Sequence, residues 1–186
     1  YPKLKGFLQT AATGNQHLRL ILDAHITLAF AAGSVLNIKS GRNVEIEQRT
    51  IHRNVWHSND MPRDPSWPGW QFDVEPLIES NGDMAVAVCL THDVGSLLIA
   101  RPTCGAGAKS VICGQHAFDL AEELALQINQ QRHISSTPLH LFIAAPNAFT
   151  FFLGQRQPGL GKTTLYEYDF EGANGGGYRQ SLTLPI

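Results

Sequence analysis

No run of apolar residues in this 186-residue sequence approaches the roughly 18 that a membrane-crossing helix needs. Charge is scarce as well: 16% of residues are charged against 43% hydrophobic, and the net charge is only -2. That balance excludes a broad basic surface for duplex DNA or RNA, because such a surface must neutralise many phosphates. A small anionic ligand asks for only a few arginines, lysines or backbone amides. Cysteine is rare and odd in number. Cys89, Cys104 and Cys113 follow no CxxC spacing, which points to reduced thiols in a soluble cytoplasmic protein rather than to disulfides or a zinc site. No HExxH or similarly spaced ligand set is present, so neither a metal nor a cofactor is expected. Nor is there a repeat of roughly 20 to 50 residues.

Two glycine-rich stretches imitate phosphate-binding loops and fail on context. Gly105-Ala106-Gly107 lacks the full GxGxxG pattern and its downstream acid, which speaks against dinucleotide binding of the dehydrogenase type. Gly159-Leu160-Gly161-Lys162-Thr163-Thr164 ends like a P-loop. Its required first glycine is Arg156, however, and the segment leads into a strand-like stretch at Leu165 instead of a helix. It is assigned to a β-turn or exposed loop.

What the chain does contain is an alternation of strand-like and helix-like segments, long enough for one large domain or two small fused ones. Leu18, Ile21, Leu22, Leu28, Ala32, Val35 and Leu36 fall at helical spacing and predict an amphipathic helix closed by Asn37 and Gly41. His25, on its apolar stripe, is expected to be a buried structural histidine. Val44, Ile46 and Gln48 alternate as a strand. From Asn54 to Gly69 the prolines Pro62, Pro65 and Pro68 predict an irregular loop, after which Phe72 and Val74 resume a strand. Met84 to Leu90 is continuously apolar, as a central strand covered on both faces should be, and Leu97 to Arg101 predicts a parallel neighbour. Gln115 to Arg132 is the clearest helix, with Phe118, Ala121, Leu124, Ala125 and Ile128 on one face and Glu122 and Glu123 in water.

Leu139 to Pro146 reads as a buried strand that stops at Asn147 before a short apolar helix. Such a corner exposes backbone at the carboxyl end of a strand, where ligands of open α/β sheets usually sit. Pro146 and Asn147 are therefore candidate ligand residues. The strand-like runs Thr163 to Asp169 and Tyr178 to Pro185 follow, separated by the glycine-rich Gly172 to Gly177.

Three other places suggest ligand chemistry. Trp56, Trp67 and Trp70 lie within 15 residues of one another, accompanied by Arg53, His57 and Arg63. Indoles stack on bases and guanidinium groups pair with phosphate, although tryptophans under a long loop also fill a small core. Pro102 to Gly114 joins a strand to a helix and contains Lys109 and Ser110 among small residues, so it could cradle a phosphate at the helix N-terminus or be an ordinary connection. His92, followed by Asp93 just after the central strand, can donate to a nucleotide or satisfy a neighbouring carbonyl. His52, His57 and Asp60 form no closely spaced metal set, and no catalytic role is assigned to any histidine.

The order of these elements resembles the SAVED domain, the sensor module of bacterial CBASS antiphage effectors. The resemblance rests on Leu139 to Gly154 as strand and helix, on Leu165-Tyr166-Glu167-Tyr168-Asp169, and on Tyr178 with Ser181, Leu182 and Leu184. Ala24 to Gly33 adds an N-terminal echo. It covers most of the chain and implies an α/β fold of two fused Rossmann-like, CARF-like subdomains, with approximate halves 1-95 and 96-186. It also implies a non-catalytic domain that binds a cyclic di- or trinucleotide and signals by homo-oligomerisation to a fused effector. Beginning at Tyr1 without a signal-peptide core, the sequence is expected to be a domain cut from a longer protein, with an effector upstream. An HNH-type nuclease is the effector expected by analogy. The rival class is an enzyme, such as a CARF-like ring nuclease that cleaves its own ligand. A purely structural oligomerisation module is a third.

Overall fold

A computed structural model describes residues 1–49, 53–73, 83–94, 98–107, 109–132, 137–169 and 177–185. Its elements are α1 (Pro2–Ala12), β1 (His17–Ile21), α2 (Ile26–Val35), a 3-10 turn (Ile38–Ser40), β2 (Asn43–Arg49) and β3 (Arg53–Trp56). These are followed by β4 (Trp70–Asp73), β5 (Met84–Cys89), β6 (Leu98–Pro102), α3 (Gly114–Gln131), β7 (Leu139–Ala144), α4 (Asn147–Gly154), α5 (Gln157–Leu160), β8 (Thr163–Tyr168) and β9 (Tyr178–Leu184). The strands form two sheets, ordered β1-β2-β3 and β4-β6-β5-β7-β8-β9. In the first, β1 and β2 run parallel on either side of α2 in sequence, and β3 turns back antiparallel. In the second, four parallel strands, β6-β5-β7-β8, are bordered by antiparallel β4 and β9. The chain passes from one sheet to the other between Trp56 and Trp70, and the larger sheet draws strands from both sides of residue 95.

The α/β organisation expected from the sequence is present. Val86, Ala87, Val88 and Cys89 of β5 are at most 1% exposed, because β6 and β7 flank the strand in the sheet and side chains cover both faces. Leu139, Leu141 and Leu165 join Val86 and Val88 in a core shared with Leu120, Leu124 and Ile128 of α3 and Phe149 and Phe152 of α4. The apolar face of α3 is buried as its periodicity predicts, with Glu122 and Glu123 exposed. No described helix is long and apolar enough to cross a membrane.

Three expectations are corrected. Leu18 and Ile21 belong to β1 rather than to a helix. Leu18 and Leu22, four apart, satisfy both a helical and an alternating pattern, and here alternation prevails: Leu18 and Leu20 point inward while Ile21, three residues from Leu18, is 64% exposed. His25 stands at the N-cap of α2 with its side chain 75% exposed, not on a buried stripe. The segment expected to be irregular from Asn54 begins as β3, which pairs with β2 from Arg53 to Trp56. Residues 57–69 carry no regular element. In the stretch resembling a P-loop, expected to be a β-turn or exposed loop, Gly159 and the buried Leu160 close α5, and Gly161 (φ 65°) and Lys162 turn the chain into β8, so no helix follows it. Val74, His52 and Gly172 to Gly176 lie outside the described residues.

Candidate functional site

The carboxyl ends of β1, β5, β7 and β8 converge on a crevice of about 250 Å³. Ala24, His25 and Ile26 enter from the β1–α2 turn, Thr91 and His92 follow β5, and Ile143 to Ala145 close β7. Glu167 and Tyr168 end β8, and Tyr178 begins the antiparallel β9 beside them. The two sheets thus contribute to one cleft, as expected where strand ends of an open α/β fold meet. The aromatic wall is ordered. The rings of Tyr168 and Tyr178 meet edge to face at 5.4 Å, and Tyr178 meets Phe142 likewise at 5.2 Å. Burial pushes the Tyr178 phenol above its ordinary pKa, helped by the neighbouring Cys89 and Tyr168, so it stays a neutral donor. Tyr168 is 46% exposed.

Each part of the molecule caps a helix of the other. Glu167 Oε1 of β8 accepts the Thr27 N–H at the start of α2 at 3.3 Å, and its Oε2 lies 3.7 Å from His25 Nδ1. In return, Gln48 Oε1 of β2 accepts the Ala148 N–H at the start of α4 at 3.1 Å. Asn147 adds two donations across the same seam, from Nδ2 to the carbonyls of Leu22 at 2.7 Å and Ala24 at 3.1 Å. Helix N-termini are the natural seats for ligand anions. Here the protein's own oxygen atoms occupy them.

The same holds for α3, where the sequence suggested a phosphate cradle. Asp60, from the irregular segment, accepts the N–H groups of Gly114 at 2.7 Å and Gln115 at 2.8 Å. A side chain at Gly114 would come within 2.5 Å of the His57 backbone. That end of α3 has no room for a ligand phosphate. Ser110 is buried and donates to the carbonyls of Leu90 and Gly107, which gives it a structural role, while Lys109 is exposed.

The tryptophan group is likewise dispersed. Trp56 and Trp70 are 7% and 9% exposed, and Trp70 donates its Nε1–H to the Leu120 carbonyl while packing on Phe72 and Phe149. They take the packing role that the sequence left open, and buried rings present no face to a base. Trp67 is half-buried against His116, with centroids 5.1 Å apart. Arg63 makes a two-pronged pair with Asp119 at 2.8 and 2.9 Å, which holds that carboxyl below the usual range. Arg53 pairs with Glu47 across β3 and β2, and His57 contacts Asn59. Of the residues proposed from sequence, His92 lines the crevice, and Pro146 and Asn147 adjoin it at Ala145. His25, Thr91, Glu167, Tyr168 and Tyr178 were not singled out for binding. Glu167, Tyr168 and Tyr178 did lie in the segments that carried the family resemblance. Among the described residues, no cluster of three His, Cys, Asp or Glu side chains could hold a metal ion.

A two-sheet α/β unit with a strand-end cleft defines a ligand-binding class, and comparison with known proteins specifies it. Residues 1–184 match the family model described as SAVED, SMODS-associated and fused to various effectors sensor domain, and the chain belongs to that family. CD-NTase-associated protein 4 of Enterobacter hormaechei subsp. hoffmannii (strain UCI 50) is 29% identical over 199 residues, covering 98% of this chain and 39% of that protein. Among solved structures, the Acinetobacter baumannii Cap4 SAVED/CARF-domain containing receptor superimposes with a TM-score of 0.71 at 20% identity, covering 99% of this chain and 40% of the receptor. The same receptor with the cyclic trinucleotide 3'3'3'-cAAA matches at 0.71 and 19% identity, covering 99% of this chain and 42% of that one. The Moraxella osloensis Cap4 receptor matches at 0.70 and 19% identity, with coverage of 99% and 41%. The chain spans about two-fifths of the length of these relatives.

Proposed function

We propose that this sensor domain binds a cyclic oligonucleotide in the crevice between its two sheets and reports binding by self-association. A cyclic trinucleotide is favoured over a dinucleotide, because the related Acinetobacter receptor is known with 3'3'3'-cAAA. The observation that carries the reading is the crevice itself. Its walls come from the β1–α2 turn on one side and from β5, β7, β8 and β9 on the other, so one ligand touches both parts of the molecule. A ligand that prefers one arrangement of those parts shifts the population toward it, and self-association follows if that arrangement presents the better interface. In the whole protein, which we place in the cytoplasm, the receiver is a fused effector, expected to be a nuclease of HNH type.

His25 and His92 face the same crevice and support a second reading, in which they act as acid and base to open the ligand ring. Incubation with 3'3'3'-cAAA separates the two. A sensor binds the ring, returns it intact and grows in particle size by light scattering. A ring-opening enzyme returns a linear product. Failure to bind any cyclic di- or trinucleotide by calorimetry would overturn both.

A further inference from the structure

We infer that the crevice is a nucleobase subsite rather than a phosphate subsite, and that Glu167 is its specificity residue, accepting a hydrogen bond from the exocyclic amino group of the base. The inference rests on the cyclic-oligonucleotide reading above and says which part of the ligand enters. Among the described residues that line the crevice there is no lysine or arginine, while a carboxylate is present. That charge opposes a phosphate, whose natural seat at the α2 N-terminus is already held by Glu167 Oε1 through the Thr27 N–H. What remains suits a flat heterocycle: the half-exposed Tyr168 ring, the neutral Tyr178 and the apolar sides of Ile26, Ile143 and Ala145. At about 250 Å³ the space lies below the roughly 300 to 1,000 Å³ of a pocket for a drug-sized ligand, and so it takes one base of a larger ring.

Glu167 then offers one oxygen. Oε1 is engaged by Thr27, and among the described residues Oε2 meets the His25 ring at 3.7 Å, a side chain that is 75% exposed. A carboxylate accepts from an exocyclic amino group as it does in base readout elsewhere, and a base without that donor leaves the oxygen unpaired on closure. Adenine, which carries the amino group, is accepted. A purine that lacks it binds more weakly.

The test compares 3'3'3'-cAAA with the same ring built from unsubstituted purine riboside, which has identical phosphates and sugars and no amino group. By calorimetry the unaltered chain should prefer the adenine ring on the order of tenfold, the size of one base-edge contact, and Glu167→Ala should bind both rings equally. The ratio is independent of the fraction of folded protein. Should the alanine variant not fold, Glu167→Gln serves, because its oxygen can still meet Thr27 while its NH₂ replaces the free acceptor and removes the preference. Equal binding of both rings by the unaltered chain overturns this inference alone. So does tighter binding of both rings by Glu167→Ala with the preference intact, which would mean that the carboxylate merely repels phosphate. Binding of neither ring overturns the cyclic-oligonucleotide reading with it.

Discussion

Gly33 of α2 and Gly154 of α4 face one another where their helices cross, with backbone against backbone. A side chain on Gly33 would overlap the Phe151 carbonyl and lie 2.8 Å from Gln155 N, and one on Gly154 would overlap the Phe30 carbonyl. Because the obstacle is helical backbone rather than a movable side chain, the helices must separate to admit even a methyl group. Gly33→Ala and Gly154→Ala should each cost about 1 to 3 kcal/mol, the usual range for overpacking. Urea unfolding measures this, and unchanged midpoints would show that the crossing yields.

His116 should make stability fall on mild acidification. It is buried, its Nδ1 accepts the Ile112 N–H at 3.1 Å, and its Nε2 donates to the Pro68 carbonyl at 2.8 Å, so the neutral ring uses both nitrogens. Burial holds its pKa below the ordinary histidine value, against the upward pull of Pro68 and Asp119. The unfolded chain therefore binds a proton that the folded chain resists. Stability is full above the ordinary value of about 6.5 and is lost as the pH falls from there toward the folded value. His116→Gln should flatten the dependence of the urea midpoint between about pH 7 and pH 5.5. An unaltered slope would remove His116 as its source.

Asp60 should stabilise α3 from a distance of more than fifty residues in sequence. Its two oxygens hold the first amides of the helix at 2.7 and 2.8 Å. Asp60→Ala should cost about 1 to 2 kcal/mol, as for other lost N-caps, and should loosen residues 57–69 toward proteolysis. Cleavage and melting that match the unaltered chain would contradict this.

Arg156 should be a keystone of the α3–α4 contact. Only 6% exposed, it donates to Glu122 at 2.7 Å and to the carbonyls of Phe152 and Phe118, and its guanidinium sits 4.2 Å from the Phe118 ring centre. Arg156→Ala should cost about 1 to 3 kcal/mol, because the Phe152 and Phe118 carbonyls lose their donor. Glu122→Gln, at a half-exposed partner, should cost less than about 1 kcal/mol. Equal costs would place the energy in the charge pair instead.

Tyrosine, not tryptophan, should govern ligand affinity. Tyr168→Ala should weaken 3'3'3'-cAAA binding by about 1 to 3 kcal/mol, the worth of one stacked base, with little change in melting temperature. Trp70→Ala should do the reverse, costing about 3 to 5 kcal/mol of stability through an emptied core site. Calorimetry and thermal unfolding of both variants decide it. Loss of affinity in a folded Trp70 variant, with none in the Tyr168 variant, would return the site to the tryptophan segment.

The elements of the larger sheet were legible because their burial leaves a local pattern. A strand covered on both faces reads as Met84 to Leu90 does, without polar interruption, and α3 repeats its apolar residues every helical turn. The spacing of Leu18 and Leu22 fits both periods, and only the pairing of His17–Ile21 with Asn43 to Glu47 selects the strand. The crevice was mostly illegible, since its walls are short pieces from residues 24–26, 91–92, 143–145, 167–168 and 178, which share no spacing.

By itself the sequence determined where the chain is apolar on one face, on two or on none, and with that the α/β character, the lack of a metal motif and the likeness to a sensor family. These are properties of neighbouring residues and survive without knowledge of the fold. Only the tertiary structure decided which polar groups were already spoken for. Arg63 is paired with Asp119, Asp60 fills the α3 terminus and Trp70 lies in the core, whereas Glu167, while capping α2, and Tyr168 line the cleft. Such pairings join residues far apart in the chain. They are set by the geometry of packing, which no local pattern of residues encodes.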